Sequence, residues 1–298
     1  MIPALHTPVM VSEAIALLAP RPGRVYCDVT LGLGGHAEQI LIASSPDGRL
    51  IGIDRDEAAL SKARDRLARF GERVTVVHGV FSETRAILSS FGLVSCDGLL
   101  CDLGVSSMQL DEPQRGFSLR HEGPLDMRMD PSQGASLAEI LEVISEEELA
   151  HVLREYGEER YAGRIARAIR RAHSQGELHT TRDLASVVAR AVPTRERHKD
   201  PATRTFQALR ILVNNELAEL DALLRDLPEI LAPGGRAVFI AFHSLEDRRV
   251  KLAFRELGRA PSRSFRCLTP KPERPSADER QRNPRARSAR LRALERCA

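Results

Sequence analysis

Val25-Tyr26-Cys27-Asp28-Val29-Thr30-Leu31-Gly32-Leu33-Gly34-Gly35-His36 passes from β-branched and apolar residues through an acid into three glycines, and Ala37-Glu38-Gln39-Ile40-Leu41 follows. That order predicts a buried strand, a tight turn and the start of a helix. Glycine is needed where the backbone takes positive φ or lets a ligand come close. The helix would aim its free N–H groups at whatever occupies the turn. Further on, Leu50-Ile51-Gly52-Ile53-Asp54 reads as a second strand ending in an acid. An acid there can accept hydrogen bonds from both hydroxyls of a ribose. The pattern points to a nucleoside cofactor.

Spacing by itself leaves the cofactor open. Gly32, Gly34 and Ala37 also fit the G-x-G-x-x-G/A fingerprint of dinucleotide sites, so a nicotinamide enzyme is one reading. A glycine turn that only packs a helix on a strand is the plainer one.

At 298 residues the chain allows one large domain or two modest ones. Its 42% apolar and 29% charged residues are ordinary for a globular protein. No apolar run approaches the ~18 residues of a membrane span. Met1-Ile2-Pro3-Ala4-Leu5-His6 lacks the basic and apolar regions of a signal peptide. A cytoplasmic protein with no membrane partner is the expectation. Cys27, Cys96, Cys101, Cys267 and Cys297 are scattered without a C-x-x-C pair, so neither a disulfide framework nor a zinc site is indicated. From Arg255 to the end, thirteen Lys and Arg stand against five Asp and Glu, a local +8 that leaves −5 for the rest of the +3 chain. A basic tail on a mildly acidic body suits a polyanion such as nucleic acid, although such tails also serve solubility alone.

Along the chain, Ser12 is placed to cap a short amphipathic helix that Pro20 and Pro22 end. A helix is predicted from Asp56 to about Phe70, acids first and Lys62, Arg64, Arg66 and Arg69 later, as the helix dipole favours. Strands are read at 74–79 and 96–104, with Phe81 in the loop after the first and a helix at 84–91. Strands alternating with helices specify a parallel, doubly wound α/β sheet. In such sheets ligands sit beyond the carboxyl ends of the strands. The 32–36 turn, Asp54 and Asp102 converge there. Phe81 is placed either to stack on a purine ring or to fill core.

The alternation stops at Val105. Residues 106–131 are polar and hold several Gly and Pro, a length of loop that is usually functional or disordered. Helical patterns follow at 136–144, 145–156, 158–173 and 181–191, and Ser145 with Glu148 fits a capping box. The expected organisation is a discontinuous α/β domain at 1–105 and 205–298, interrupted by an all-helical insertion at 106–204. Within the 158–173 helix Arg160, Arg164, Arg167 and Arg171 recur at i, i+4, i+7 and i+11 as one basic stripe, beside an apolar face of Ile165, Ala168, Ile169 and Ala172. The stripe reads either as a solvated face or as a surface that tracks phosphates. One long helix is expected from Thr205 to about Leu227, then a turn at Pro233-Gly234-Gly235 and a fifth strand at 236–242. His243-Ser244-Leu245-Glu246-Asp247-Arg248 sits at that strand's carboxyl end, and a helix at 247–257 follows. Residues 288–295 read as a final strand, with helix close behind.

Several segments carry a likeness to known proteins: His6-Thr7-Pro8-Val9, residues 30–36 and 52–56, 102–107 with Gln109-Leu110-Asp111, and Arg115-Gly116-Phe117-Ser118. Residues 123–131, 156–169, 201–206, 242–248 and 283–288 extend it, and Gly123-Pro124-Leu125-Asp126-Met127-Arg128-Met129-Asp130 is highly specific. Together they resemble the bacterial rRNA small-subunit methyltransferase H family (MraW). The resemblance implies a Rossmann-like methyltransferase sheet that uses S-adenosylmethionine, with cofactor contacts at Gly34, Gly35, His36, Asp54, Phe81, Asp102 and Gln109. It implies methyl transfer to the exocyclic N4 of a cytidine in 16S rRNA, at the decoding centre of the small ribosomal subunit. The partner would be that subunit or a late assembly intermediate, and a homodimer is left open. It also implies that the helical insertion helps to hold substrate.

The chemistry narrows the candidates. Cytosine N4 is a poor nucleophile because its lone pair is delocalised into the ring. Acceptors on its hydrogens would turn the lone pair toward the methyl carbon and take up developing charge, leaving alignment as the other task. Many amino-group methyltransferases carry an Asn/Asp-Pro-Pro-aromatic motif after the fourth strand, where this chain has Asp102-Leu103-Gly104-Val105-Ser106-Ser107. Asp102, Ser106 and Ser107 are therefore catalytic candidates. His243 is another, as proton acceptor or base contact, unless it only caps the strand end. Arg160, Arg164, Arg167, Arg171 and Arg248 are candidate RNA contacts around a splayed or flipped cytidine. With 4% aromatics and no Trp, phosphate contacts should outweigh stacking, which makes binding steeply salt-dependent. A nicotinamide oxidoreductase would share the turn and Asp54 but leave the basic regions without a role. A non-catalytic nucleic-acid binder would explain those regions but not the ordered mouth. No metal is implied.

Overall fold

The computed structural model describes residues 8–193, 200–259 and 264–298. His6, Thr7 and residues 195–199 lie outside them. From α1 (Val11–Leu18) the chain passes through β1 (Val25–Asp28), α2 (Gly35–Ala43), β2 (Arg49–Asp54), α3 (Glu57–Leu67), β3 (Val74–His78), α4 (Thr84–Ser90) and β4 (Cys96–Asp102). Helices then follow one another: α5 (Ser107–Asp111), α6 (Leu137–Val143), α7 (Glu146–Gly157), α8 (Ala162–Ser174), α9 (Thr181–Ala191), α10 (Thr203–Asn214) and α11 (Glu216–Ile230). The chain closes with β5 (Leu231–Ala241), α12 (Ser244–Arg259), β6 (Phe265–Cys267), α13 (Ala277–Arg282) and β7 (Arg290–Arg296). Two compact units result, Met1–Gly104 with Leu217–Ala298, and Val105–Glu216. Among the described residues no helix is long and apolar enough to cross a membrane.

The first unit is built on a seven-stranded sheet of order β3-β2-β1-β4-β5-β7-β6. Strands β1 to β5 are parallel, and β7 runs antiparallel between β5 and β6. Successive side chains on a strand point to opposite faces. Ile51, Leu99 and Phe239 accordingly enter one core with Leu88, Leu220, Leu227 and Phe254 of α4, α11 and α12. Leu50, Leu100 and Val238 enter the other with Leu18, Ile40 and Leu60 of α1, α2 and α3. Helices on both faces explain why the central strands β1, β2 and β4 are apolar over most of their length, and the doubly wound α/β sheet read from the alternation is present. Two local expectations change and one open choice is decided. Pro233-Gly234-Gly235 lies inside β5 as a bulge, because the register jumps from Leu231 opposite Cys96 to Arg236 opposite Gly98. The final strand read at 288–295 is present as 290–296, filling the antiparallel slot between β5 and β6. Ser12 is not a cap: α1 begins behind Met10, whose N–H donates to Glu279 Oε1 at 2.7 Å.

In the second unit Leu137, Leu141, Leu153, Ile165, Ile169, Leu184, Val188 and Leu209 meet in one core. Capping boxes at Ser136/Glu139, Ser145/Glu148 and Thr180/Asp183 start α6, α7 and α9. The helix expected from Glu158 begins only at Ala162, because Glu158 takes the left-handed conformation (φ 49°) that closes α7. Arg160 therefore stands on the connecting turn, outside the helical stripe. The long helix expected from Thr205 is broken at Asn215 (φ 51°). Phe206, Ala208 and Leu209 of α10 pack in this unit's core, which puts its boundary at Glu216 rather than at residue 204. The 106–131 stretch is ordered: Phe117, Leu125, Met127 and Met129 are buried in the same core. Asn214 clamps it, with Oδ1 accepting Met129 N–H and Nδ2 donating to Met127 O, both at 2.7 Å.

Candidate active site

The parallel strands end at one edge of the first unit, and three of them end in an acid: Asp28, Asp54 and Asp102. Asp28 lies opposite Gly52 and Leu100, so Asp54 and Asp102 each stand two residues beyond it on either side. The chain leaving β1 keeps pairing across that gap, Val29 N–H donating to Leu100 O and Leu31 N–H to Ile53 O, both at 2.9 Å. Side chains then lock the turn. Gly32 N–H donates to Asp54 Oδ2 (2.7 Å) and Asp56 N–H to Asp54 Oδ1 (2.9 Å). Thr30 N–H donates to Asp28 Oδ1 (3.3 Å), while Thr30 Oγ1 accepts Asp102 N–H (2.6 Å). Gly34, at φ 75°, is the residue from which α2 starts, a conformation that side chains strain. Gly35 is required for space, since a Cβ there would come within 2.2 Å of Pro8 Cγ.

These acids are not ordinary carboxylates. Burial pushes Asp28 up to about 7; the Thr30 and Ala37 N–H groups pull the other way, and the charge of Asp54 adds repulsion. Burial, then the charges of Asp28 and Glu246, hold Asp102 well above the usual carboxylate range. Asp54 is raised by burial, although the N–H groups of Asp56 and Gly32 favour its charge. Among the described residues, Asp28 Oδ2 and Asp102 Oδ1 are buried without a hydrogen-bond partner. Such atoms are costly until a donor or a cation meets them, so the strand ends suit a ligand that brings hydrogen-bond donors or positive charge.

Other candidates group around this edge or lie apart from it. His36 is buried on α2, its Nε2 2.9 Å from Val9 O and its Nδ1 3.8 Å from Asp102 Oδ2. Phe81 begins a 3₁₀ turn after β3 and is half-buried against the core that holds Ile53 and Leu88. His243 follows β5, but its ring is engaged within its own turn: Nδ1 accepts Glu246 N–H at 3.4 Å and Nε2 stands 3.0 Å from Glu246 Oε1, out of line for a hydrogen bond. Glu246, 2% exposed, closes that turn by accepting Phe242 N–H (2.8 Å) and His243 N–H (3.2 Å). Arg248 is exposed on α12.

Ser106, Ser107 and Gln109 belong to the second unit. Ser106 and Gln109 spend their side chains on each other, Ser106 Oγ accepting Gln109 N–H (3.2 Å) and Gln109 Oε1 accepting Ser106 N–H (2.9 Å). Ser107 is buried at the start of α5. Arg164, Arg167 and Arg171 line the exposed side of α8. Arg167 pairs with Glu146 at 3.2 Å, whereas Arg164 and Arg171 have no acidic partner among the described residues. Arg160 is exposed over the Tyr161 ring at 5.7 Å. Sequence reasoning passed over Asp28, Thr30 and Glu246. The signal for Asp28 was available, since it closes β1 as Asp54 closes β2.

Residues 3–297 match the MraW methylase family. Ribosomal RNA small subunit methyltransferase H of Sorangium cellulosum is 55% identical over 292 residues, 98% of this chain and 90% of that protein. The proteins of the same name from Geotalea daltonii and Symbiobacterium thermophilum are 49% and 48% identical, each over 97% of this chain and over 98% and 96% of their own lengths. A family match over residues 3–297 and about half identity over nearly the whole chain favour a methylase over a nicotinamide enzyme. The chain belongs to the MraW methylase family.

Proposed function

We propose that the chain transfers the methyl group of S-adenosylmethionine to the exocyclic N4 of a cytidine in 16S rRNA, at the decoding centre of the small ribosomal subunit. The unpartnered buried oxygens of Asp28 and Asp102 carry the choice of donor. The donor is a nucleoside with a sulfonium and an ammonium group, which suits acids at the strand ends; a dinucleotide would bring a diphosphate to the same charges. Asp54 keeps a free lone pair on each oxygen for ribose hydroxyls. Small-subunit rRNA as substrate is supported by the activity named for relatives about half identical over nearly the whole chain.

When bound, the donor supplies a methyl carbon that is already electrophilic. Gly34, Gly35, His36, Asp54 and Phe81 would hold it. Gln109 is the weakest of the expected contacts, because its Oε1 already closes the α5 capping box. Asp102 is the residue best matched to accept the N4 proton: a carboxylate raised above its ordinary range is a stronger base. Ser106 and His243 are engaged within their own turns and serve to position the chain. On the second unit, Arg164, Arg167 and Arg171 offer RNA phosphates a surface, with Arg160 beside them and Arg248 on the first unit.

The test is tritium transfer from labelled S-adenosylmethionine to small subunits from a strain lacking this gene, followed by nucleoside analysis. Label in N4-methylcytidine, or in its 2′-O-methylated form, is expected. Label on another base would overturn the atom. No label on subunits or on their assembly intermediates would overturn the substrate.

A further inference from the structure

The antiparallel course of β7 brings a basic segment to the same edge as the acid-lined mouth. Arg290, where β7 starts, lies opposite Ala241, where β5 ends. Residues after β6 run back toward that edge, Leu268 N–H donating to Ala293 O and Glu273 bridging to Leu291. Between these two runs α13 and the 3₁₀ turn Pro284–Ser288 form a cap. The cap is tied to the site: Glu279 Oε1 accepts Met10 N–H, and the neighbouring Val9 O meets His36 Nε2.

Arg280, Arg282 and Arg287 are exposed on this cap, and Lys271 and Arg274 on the run that leads into it. None of the five forms an ion pair among the described residues; Arg280 and Arg282 donate only to the backbone oxygens of Ser276 and Asp278. Glu273 and Asp278 are the acids exposed between them. Charge is therefore sorted within one edge, carboxylates inside for a cationic donor and guanidinium groups on the rim. A lone basic tail serves solubility as well as binding. A cluster folded into a cap and bonded to the residues that hold His36 has a fixed place beside the mouth.

We infer that this cap is the first unit's RNA rim, taking the phosphates of the strand that carries the target base. The inference rests on the rRNA reading above. The rim reads backbone charge, not sequence, and so contributes to affinity and its salt dependence.

The experiment measures Kd for unmethylated small subunits against salt concentration, with Arg280→Gln, Arg282→Gln and Arg287→Gln combined. A control with equal charge removed carries Lys251→Gln, Arg255→Gln and Arg259→Gln on the exposed side of α12, which runs toward Phe265 and the Arg296 end of β7. Removing three phosphate contacts should lower the log–log salt slope by about 2 and weaken binding roughly tenfold or more at physiological salt. The control should keep the wild-type slope, and the rim variant should keep its S-adenosylmethionine affinity, its melting temperature and its kcat at saturating subunits. A slope unchanged from wild type, or no loss beyond the control, would overturn the rim. Weakened donor binding or a lowered melting temperature would overturn it too, by making the cap structural. A wild-type protein that binds no rRNA would sink the parent reading with it, whereas a methylating wild type with an unaffected variant sinks the rim alone.

Discussion

Asp28 shows how far a single carboxyl can be set by its surroundings. Its side chain is 1% exposed, faces Asp54 and adds repulsion to Asp102. An unfolded chain sheds this proton near 3.8, while the folded chain holds it to about 7. The contribution of Asp28 to stability is therefore complete below the unfolded value and is lost as pH rises through 7. Asparagine keeps an acceptor for Thr30 N–H and carries no charge. Asp28→Asn is expected to stabilise the donor-free protein at pH 8 by on the order of 2–4 kcal/mol, an advantage that fades toward pH 4; melting curves across that range check it. Donor binding should run the other way. A cation beside Asp28 and Asp102 favours their charged forms, so S-adenosylmethionine should release protons on binding at pH 6.5. Titration calorimetry in buffers of different ionisation enthalpy would detect that release, and Asp28→Asn should reduce it and weaken binding by roughly tenfold. A binding heat independent of buffer would remove Asp28 from the site.

At the scale of elements, α12 is pinned to the sheet by one acid. Asp247 Oδ2 takes Arg290 Nη1 at 2.8 Å and Oδ1 takes Arg292 Nε at 2.7 Å. Burial pushes Asp247 up, but the hydrogen bonds from Arg292 and Arg290 prevail and hold it below the usual carboxylate range. A lowered carboxyl stabilises above its unfolded value and loses that support as pH falls through its folded value. Arg292→Met leaves Asp247, 6% exposed, with half its partners, and should cost about 2–4 kcal/mol, read as a lower urea midpoint. In the second unit Asn214→Ala would strand Met129 N–H and Met127 O and should cost about 2–4 kcal/mol; Asn214→Asp, which cannot donate, should not rescue it. Neither fastener was legible beforehand, because each joins residues 43 to 87 positions apart. What was legible followed local rules. Alternation gave the sheet and its helices, and the ends of β2 and β4 gave Asp54 and Asp102. β6, three residues long, was too short to read. The break at Asn215 was hidden inside a continuous helical pattern. Phe117, Leu125, Met127 and Met129 looked like parts of a polar loop because their burial comes from α6 to α10. Ser106-x-x-Gln109 was a capping box in plain sight, although Ser106 reads as chemistry from its place after β4 and Gln109 as a cofactor contact from the family resemblance alone.

Over the whole molecule, charge is partitioned by task. The acids lie at the strand ends of the first unit, while cations that pair with no acid among the described residues lie on its cap and, as Arg164 and Arg171, along α8 of the second. Few aromatics are available to stack bases, 4% of the chain with no Trp, so most RNA affinity must come through phosphates. Counterion release makes that affinity fall linearly on log–log axes, with a slope of about −0.7 per phosphate for single strands. Arg164 and Arg171 are the cleanest probes on α8, since Arg167 already spends part of its charge on Glu146. Arg164→Gln with Arg171→Gln should lower the slope for small-subunit binding by about 1.4, leaving donor affinity unchanged. If the cations of the two units meet separate phosphates, their effects should add when this pair is combined with the cap triple. Additive loss would mean that the RNA engages both units at once. A cap effect with none from α8 would make the helical stripe a solvated face and move substrate recognition onto the first unit.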